Sequence, residues 1–147
     1  MTEANKRRAV FLDRDGVINR SDVRDGRPFA PLRVEEFDIL PGVVEAVAAL
    51  KAAGFLVIVT TNQKDIGEGL ASMDVLEAMH DKLRAEVDVD DICVCLCGDH
   101  CRRYKPSPGM LLDAARQWNI DLATSIMVGD RWRDVDAGKA ADCLTYF

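Results

Sequence analysis

Short apolar runs alternate with segments of helical spacing along this chain, and that alternation constrains the fold more than any other feature. The apolar runs predict strands over residues 8–13, 55–60, 92–96, 125–129 and 143–147. Apolar residues three or four apart predict helices over 43–53, 72–86, 108–118 and 133–140, and a polar, arginine-rich loop fills 19–38. Strands that alternate with helices form a parallel sheet with helices on both faces. We therefore expect an α/β protein with a doubly wound, Rossmann-like parallel sheet.

Length and charge limit the class of protein. With 147 residues, the chain has the size of one domain, which we place over residues 1–147. A net charge of −6 without a long basic run argues against nucleic-acid partners. No apolar run approaches the roughly 20 residues of a membrane span, and the polar start is unlike a signal peptide. We expect a cytoplasmic protein with no membrane partner.

Polar residues collect where the predicted strands end. The residues at these positions are Asp13 and Asp15 after the first strand, Thr61 and Asn62 after the second, Lys105 after the third and Asp130 after the fourth. In a parallel sheet the carboxyl ends of the strands share one edge, where ligands bind. Each element alone is commonly a turn, a helix cap or an exposed loop lysine. Their joint order along the chain indicates a functional site.

This set of residues suits phosphoryl transfer, in which charged phosphoryl oxygens need a metal and a lysine. Asp13, Asp130 and a main-chain carbonyl near Asp15 are candidates to hold Mg²⁺, which prefers hard oxygen ligands. Asp13 would attack phosphorus and form an aspartyl-phosphate. Asp15 would protonate the leaving oxygen and then activate water. Thr61 would bind the phosphoryl oxygens, and Lys105 would neutralise both the phosphate and Asp13. The sequence predicts a magnesium-dependent phosphatase whose partner is a small phosphorylated molecule.

Two other classes of protein share parts of this pattern. A receiver-type signalling domain also combines a sheet, Mg²⁺, a phosphorylated Asp, a Thr and a Lys. Its phosphorylated Asp follows the third strand, where this chain has no acidic residue, and Asp15 here supplies an acid two residues beyond Asp13. A catalytically inactive phosphate-binding module is the other alternative, although every catalytic position of the pattern is filled.

Four ordered segments resemble the haloacid dehalogenase (HAD) superfamily of phosphohydrolases. They are Asp13-Arg-Asp-Gly-Val17, Val59-Thr-Thr-Asn-Gln63, Lys105-Pro-Ser-Pro-Gly109 and Val128-Gly-Asp-Arg-Trp-Arg-Asp134. The resemblance implies that Asp13 is the nucleophile and a metal ligand, and that Asp15 is the general acid/base. It also implies phosphate binding by Thr61, Asn62 and Lys105, metal ligation by Asp130 and a supporting role for Asp134. The intervals between the segments are largely used by core elements, so we expect the capless form of the HAD fold, subclass III.

Within that superfamily the chain is similar to the branch that contains the D-glycero-D-manno-heptose 1,7-bisphosphate phosphatases and the histidinol-phosphate phosphatases. This similarity implies a sugar bisphosphate as substrate, with histidinol phosphate as the alternative. Tyr104 replaces the arginine that normally precedes the lysine in that branch and helps to hold the substrate. The loop cations that could contact a second phosphate are Arg20, Arg24, Arg27, Lys64, Arg102 and Arg103, and Arg103 is the one we assign to substrate binding.

A cysteine-rich stretch precedes Lys105. The branch commonly has a zinc loop here, which implies Cys95, Cys97 and Cys101 as ligands of a structural Zn²⁺, with His100 as the fourth. Four nitrogen and sulfur ligands suit tetrahedral zinc. Adjacent His100 and Cys101 make joint ligation awkward, and Cys93, Cys95 and Cys97 would share one face of a strand, where buried free cysteines are common. A metal-free loop is therefore the alternative.

Overall fold

Five parallel strands form the central sheet of the computed structural model, which describes residues 6–147. In chain order the strands of the molecule are β1 (Ala9–Leu12), β2 (Asp22–Arg24), β3 (Arg27–Phe29), β4 (Leu56–Asn62), β5 (Asp91–Cys95), β6 (Ile126–Val128) and β7 (Leu144–Tyr146). The central sheet has the order β5-β4-β1-β6-β7, and β2 and β3 form a separate antiparallel hairpin. All neighbours in the five-stranded sheet are parallel, as predicted.

Five α-helices connect and cover these strands. They are α1 (Val43–Ala52), α2 (Lys64–Gly67), α3 (Met73–Glu86), α4 (Gly109–Trp118) and α5 (Trp132–Ala140), with 3-10 turns at Val34–Glu36 and Leu122–Thr124. The four longer helices confirm the predicted ones. Ser72 caps α3 by accepting a hydrogen bond from the amide of Val75 at 3.2 Å, as its side chain favours. Within residues 6–147, none of the helices has the length and apolarity that a membrane span requires.

The core lies on both faces of the sheet. Alternate residues of a strand point to opposite faces, so Val10 of β1 packs with Val47 of α1 and Met79 of α3. Its neighbour Phe11 packs on the other face with Leu111 of α4. All four residues of β1 are buried, as expected for the central strand of a parallel sheet. The molecule is therefore doubly wound, and the predicted fold class is confirmed.

The segment predicted as a loop over 19–38 contains the β2–β3 hairpin instead. Asp25 and Gly26 form its turn with φ angles of 50° and 74°. A two-residue turn with both φ angles positive suits the twist of a hairpin and favours the Asp-Gly pair. Between β1 and α1 the described chain adds to this hairpin only isolated β-bridges and one 3-10 turn, so this interval carries no cap domain, as expected.

Gly138 sets how closely α5 approaches the sheet. A Cβ atom at this position would lie 2.6 Å from Cγ2 of Thr145 and 2.8 Å from Cβ of Met127. Alanine is the better helix former by about 1 kcal/mol, but forcing a methyl group into a packed core costs about 1–3 kcal/mol. Since Met127 is fully buried, we expect Gly138→Ala to lower the free energy of unfolding by about 1 kcal/mol, measured by urea denaturation.

Lys139→Ala is the matched control, because the neighbouring Lys139 side chain is exposed. Its effect should stay within about 0.5 kcal/mol of zero. A Gly138→Ala protein as stable as the wild type would contradict the close packing of α5 on β6 and β7.

Candidate active site

Asp13 lies at the centre of the carboxyl edge of the sheet. It follows β1, which is flanked by β4 and β6, and its main-chain amide donates to the carbonyl of Val128 at 3.0 Å. The residue is 8% exposed. The central position of β1 therefore places this carboxylate where groups from both halves of the sheet can reach it.

Lys105 contacts three elements at once through its ammonium group, and it is 2% exposed. Its Nζ donates to Oδ1 of Asp13 at 2.9 Å, to the carbonyl of Thr60 at 2.8 Å and to Oδ1 of Asp134 at 2.7 Å. The side chain of Asn62 fixes the main chain of Lys105, since it donates to the carbonyl and accepts from the amide, both at 3.0 Å. The sequence-predicted lysine, nucleophile and supporting carboxylate are thus brought together.

The charges of this cluster perturb each other. Burial raises the pKa of the Asp13 carboxyl to about 7, the ammonium of Lys105 opposes the shift, and the carboxylates of Asp134 and Asp15 add to it. Burial alone would lower the pKa of Lys105, but Asp13 and Asp134 outweigh it, so that its pKa is raised. Burial is thus the main reason for the raised pKa of Asp13, and the two neighbouring carboxylates add to it.

Asp15 is oriented by hydrogen-bond donors on three sides. Its Oδ1 accepts from Nη2 of Arg14 at 2.8 Å and from Nδ2 of Asn19 at 3.0 Å. Its Oδ2 accepts from Nε2 of Gln63 at 2.9 Å, and the same amide donates to Oγ1 of Thr61 at 2.8 Å. Because these partners are buried, the carboxylate has a defined position next to Asp13.

Arg14 contacts Asp15 directly, and His80 contacts Arg14. Neither residue was predicted from the sequence. Arg14 is fully buried, its Nη1 lies 3.1 Å from Nε2 of His80, and its guanidinium lies 5.2 Å from the ring centre of Phe37. Arginine cannot accept a hydrogen bond, so Nε2 of His80 is the acceptor. Burial, followed by the charge of Arg14, lowers the pKa of His80 to about 4, which suits that neutral role. The signal available in the sequence was the arginine between two aspartates.

Three carboxylates form a potential cation site. Oxygen atoms of Asp13, Asp130 and Asp134 lie within 4.8 Å of one another. The main chain at Gly16 approaches this group so closely that a Cβ there would lie 2.1 Å from Oδ2 of Asp130, and the φ of Gly16 is 87°. Only glycine satisfies both conditions without strain. A set of hard oxygen donors fits Mg²⁺. The carboxylate of Asp15 is not part of this group in residues 6–147.

A cavity of about 220 Å³ opens above these residues. It is lined by Asp13, Asp15, Pro28, Phe29, Ala30, Asn62, Gln63, Lys64, Asp65, Tyr104, Lys105, Arg131, Arg133 and Asp134. The hairpin supplies one wall, and Nη2 of Arg131 donates to the carbonyl of Pro28 at 3.2 Å. Of the predicted polar residues, Asp13, Asp15, Asn62, Lys105 and Asp134 therefore share one cavity, whereas Thr61 and Asp130 are not part of its lining. Two arginines that the sequence did not single out, Arg131 and Arg133, also line it.

Arg103 lies elsewhere, although it was predicted to contact substrate. Its guanidinium pairs with Asp113 at 3.2 Å and donates to the carbonyl of Val94 at 3.2 Å. Of the six loop cations proposed for a second phosphate, Lys64 alone lines the cavity in the described chain. The position of a cation in a loop sequence does not show whether its side chain points into the cavity or pairs with another part of the protein surface.

The cysteine stretch brings three sulfur atoms together. Cys95, Cys97 and Cys101 have their Sγ atoms within 4.8 Å of one another. Cys97 and Cys101 are joined by a disulfide, and Sγ of Cys95 lies 3.4 Å from that of Cys97. His100 is outside this group in the described chain, so the predicted four-ligand set is not assembled. Zinc binding stays a prediction.

Comparison with known proteins agrees with this geometry. The haloacid dehalogenase-like hydrolase family model matches residues 18–142. A D-glycero-beta-D-manno-heptose-1,7-bisphosphate 7-phosphatase from Rhodopseudomonas palustris is 37% identical, over 94% of this chain and 81% of the relative. A D-glycero-alpha-D-manno-heptose-1,7-bisphosphate 7-phosphatase from Burkholderia mallei is 39% identical, over 92% and 76% of the two chains.

A solved structure is also similar over almost the whole chain. It is the D,D-heptose 1,7-bisphosphate phosphatase from B. bronchiseptica complexed with magnesium and phosphate. The two proteins are 38% identical and superpose with a TM-score of 0.82, over 94% of this chain and 78% of the other. The resemblance of the four sequence segments is thereby confirmed, and the chain belongs to the haloacid dehalogenase-like hydrolases as a phosphatase of that family.

Proposed function

We propose that this phosphatase is a magnesium-dependent phosphomonoester hydrolase that works through an aspartyl-phosphate on Asp13. One observation carries the proposal: a buried lysine contacts the Asp13 carboxylate on the floor of a cavity, and a second, separately oriented carboxylate lines the same cavity. A nucleophile and an acid/base beside each other are what hydrolysis through a covalent intermediate requires.

Asp13 and Asp130, with a main-chain carbonyl near Asp15, would hold Mg²⁺. Bound there, the ion would neutralise charge on the phosphoryl oxygens and reduce their repulsion from the nucleophile. Asp134 supports this arrangement from behind, because its carboxylate accepts from Lys105 and, at 3.2 Å, from the main-chain amide of Arg131. The close approach of the Asp13, Asp130 and Asp134 carboxylates supports the same assignment, since hard oxygen donors suit Mg²⁺.

The reaction proceeds in two steps. The Asp13 carboxylate attacks phosphorus, the ester P–O bond breaks, and Asp15 gives its proton to the leaving oxygen. Asp15, now ionised, takes a proton from water, which attacks the aspartyl-phosphate, releases inorganic phosphate and restores Asp13. Lys105 holds the nucleophile in place throughout. Asn62 lines the cavity and is a proposed phosphate ligand, and Thr61, which is buried and accepts from Gln63, is proposed to bind phosphate with it.

A heptose bisphosphate is the substrate that we propose. Two relatives support this proposal, because one is named as a phosphatase of the beta anomer of D-glycero-D-manno-heptose-1,7-bisphosphate and the other as a phosphatase of the alpha anomer. The heptose bisphosphate phosphatase of the same fold, solved with magnesium and phosphate, supports it as well. Because the relatives act on different anomers, what their named substrates share is the heptose with its two phosphates.

Asp13→Asn tests the nucleophile. The amide keeps the size of the side chain but cannot attack phosphorus, so we expect turnover to fall by at least about 10⁴-fold. Hydrolysis of the heptose 1,7-bisphosphate and of p-nitrophenyl phosphate should be measured with Mg²⁺. Asp81→Asn, at a 79% exposed side chain on α3, is the matched control and should leave the rate unchanged. Substantial activity in Asp13→Asn would exclude the covalent route.

Asp15→Asn separates the acid and base roles. Loss of a general acid costs about 10²–10⁴-fold, and we expect the full effect on the sugar phosphate. Nitrophenolate leaves without a proton, so p-nitrophenyl phosphate should still give a burst of about one equivalent, followed by slow turnover, because the second step lacks its base. Rapid-quench kinetics measures the burst. Equal losses on both substrates with no burst would contradict the assignment of Asp15.

Metal removal tests the cation site. Dialysis against a chelator should abolish activity, and added Mg²⁺ should restore it. Asp130→Asn should raise the Mg²⁺ concentration for half-maximal activity by about tenfold or more, because a charged oxygen ligand is lost. The control is Asp136→Asn, at an exposed position of α5. Full activity in the chelator, or an unchanged Mg²⁺ requirement in Asp130→Asn, would rule out this site.

A further inference from the structure

Two arginines lie at the N-terminal end of α5, where the helix dipole disfavours cations. Arg131 precedes α5 as its N-cap residue, and Arg133 lies in its first turn. The N-terminal end of a helix carries partial positive charge and favours acidic residues. Cations at this end add to the positive charge instead of compensating it. Asp134 supplies an acidic residue in the same turn, but the two arginines depart from the local preference, and such departures are expected at functional sites.

Arg133 is held in place without being neutralised. Its guanidinium lies 5.9 Å from the ring centre of Tyr104 and 5.3 Å from that of Trp132. Both contacts are within the range of cation–π attraction. Tyr104 is 4% exposed and packs beneath the cavity, so it is a rigid platform. No carboxylate within residues 6–147 forms an ion pair with Arg133, and its positive charge stays available to a ligand.

Two other cations close to Asp13 and Asp15 are already paired with carboxylates. The ammonium of Lys105 is shared by Asp13 and Asp134, and Arg14 pairs with Asp15. Arg133, in the first turn of α5, lines the same cavity as Lys105, Asp13 and Asp134. An anionic group attached to the far end of a substrate would meet Arg133 while its phosphoryl group lies at Asp13.

We infer that Arg133, seated on Tyr104, is a specificity-determining residue that binds a second phosphate on the substrate. This inference rests on the proposed function, because it assumes that the first phosphate lies against Asp13. A planar guanidinium forms paired hydrogen bonds with phosphate oxygens. The protein therefore discriminates a bisphosphorylated sugar from the same sugar with a single phosphate.

Two substrates that differ only in that group test the inference. D-glycero-D-manno-heptose 1,7-bisphosphate and the corresponding 7-phosphate should be compared, with p-nitrophenyl phosphate as a substrate that has no second anion. Arg133→Gln should lower kcat/KM for the bisphosphate about 10- to 100-fold, mainly through KM, as the loss of a hydrogen bond between charged groups implies. The 7-phosphate and the aryl phosphate should change by no more than about twofold.

The control variants separate charge from structure. Arg133→Lys keeps the charge and should recover part of the lost kcat/KM. Arg116→Gln, at an exposed arginine of α4 that pairs with Asp113, should match the wild type on all three substrates. Thermal melting of each variant shows whether it is folded. Equal losses on both sugar phosphates, or no loss on the bisphosphate, would overturn the inference.

A binding measurement keeps this test distinct from that of the proposed function. Calorimetric titration of the two sugar phosphates into Asp13→Asn, with and without Arg133→Gln, does not depend on turnover. Tighter binding of the bisphosphate that disappears with Arg133→Gln supports the role of Arg133 even if the wild type hydrolyses neither sugar, which would refute the proposed function alone. Equal affinity for both sugars, or no binding of either, overturns the inference.

Discussion

A single buried ammonium group organises the active edge of this protein. Lys105 is 2% exposed, and a buried charge is tolerated only when it is paired and hydrogen-bonded. Its three acceptors belong to the end of β1, to β4 and to α5. These elements can satisfy the lysine only when β1, β4 and α5 are in their folded positions. The pairing of this buried charge therefore also places Asp13, the proposed nucleophile, beside Lys105 and close to Asp134.

The sheet and its catalytic edge can be predicted from the sequence for a simple physical reason. Strands buried on both faces appear as continuous apolar runs, and polar residues that follow several such runs together indicate a site at the carboxyl edge of the sheet. Asp13 and Lys105 follow from this pattern and Asp134 from the family resemblance, and the structure joins Lys105 to both carboxylates by direct hydrogen bonds. Strand and helix boundaries shift by one or two residues, as expected where hydrogen bonding at the ends decides them.

Features that depend on the direction of a side chain could not be predicted from the sequence. Arg103 and Arg133 are both arginines close to motif residues, yet one pairs with Asp113 and the other lines the cavity. Periodicity cannot distinguish them, because the outcome depends on which partner each long side chain reaches in three dimensions. The cysteine loop is a similar case, since the family resemblance suggested His100 as a ligand, whereas the fold of residues 6–147 groups the sulfurs of Cys95, Cys97 and Cys101 without it. The Asp25-Gly26 pair, in contrast, is a sequence signal for a hairpin turn, although this segment was predicted to be a loop.

The hairpin has a consequence for how such a molecule can diversify. Its two strands pair in a sheet of their own, while Pro28 and Phe29 form part of the cavity wall. Residues added at its tip would enlarge that wall without shifting the register of any strand that carries a catalytic group, and exposed turns tolerate insertions well. Selectivity can therefore drift during evolution at one turn, while the reaction chemistry is inherited unchanged at the sheet edge.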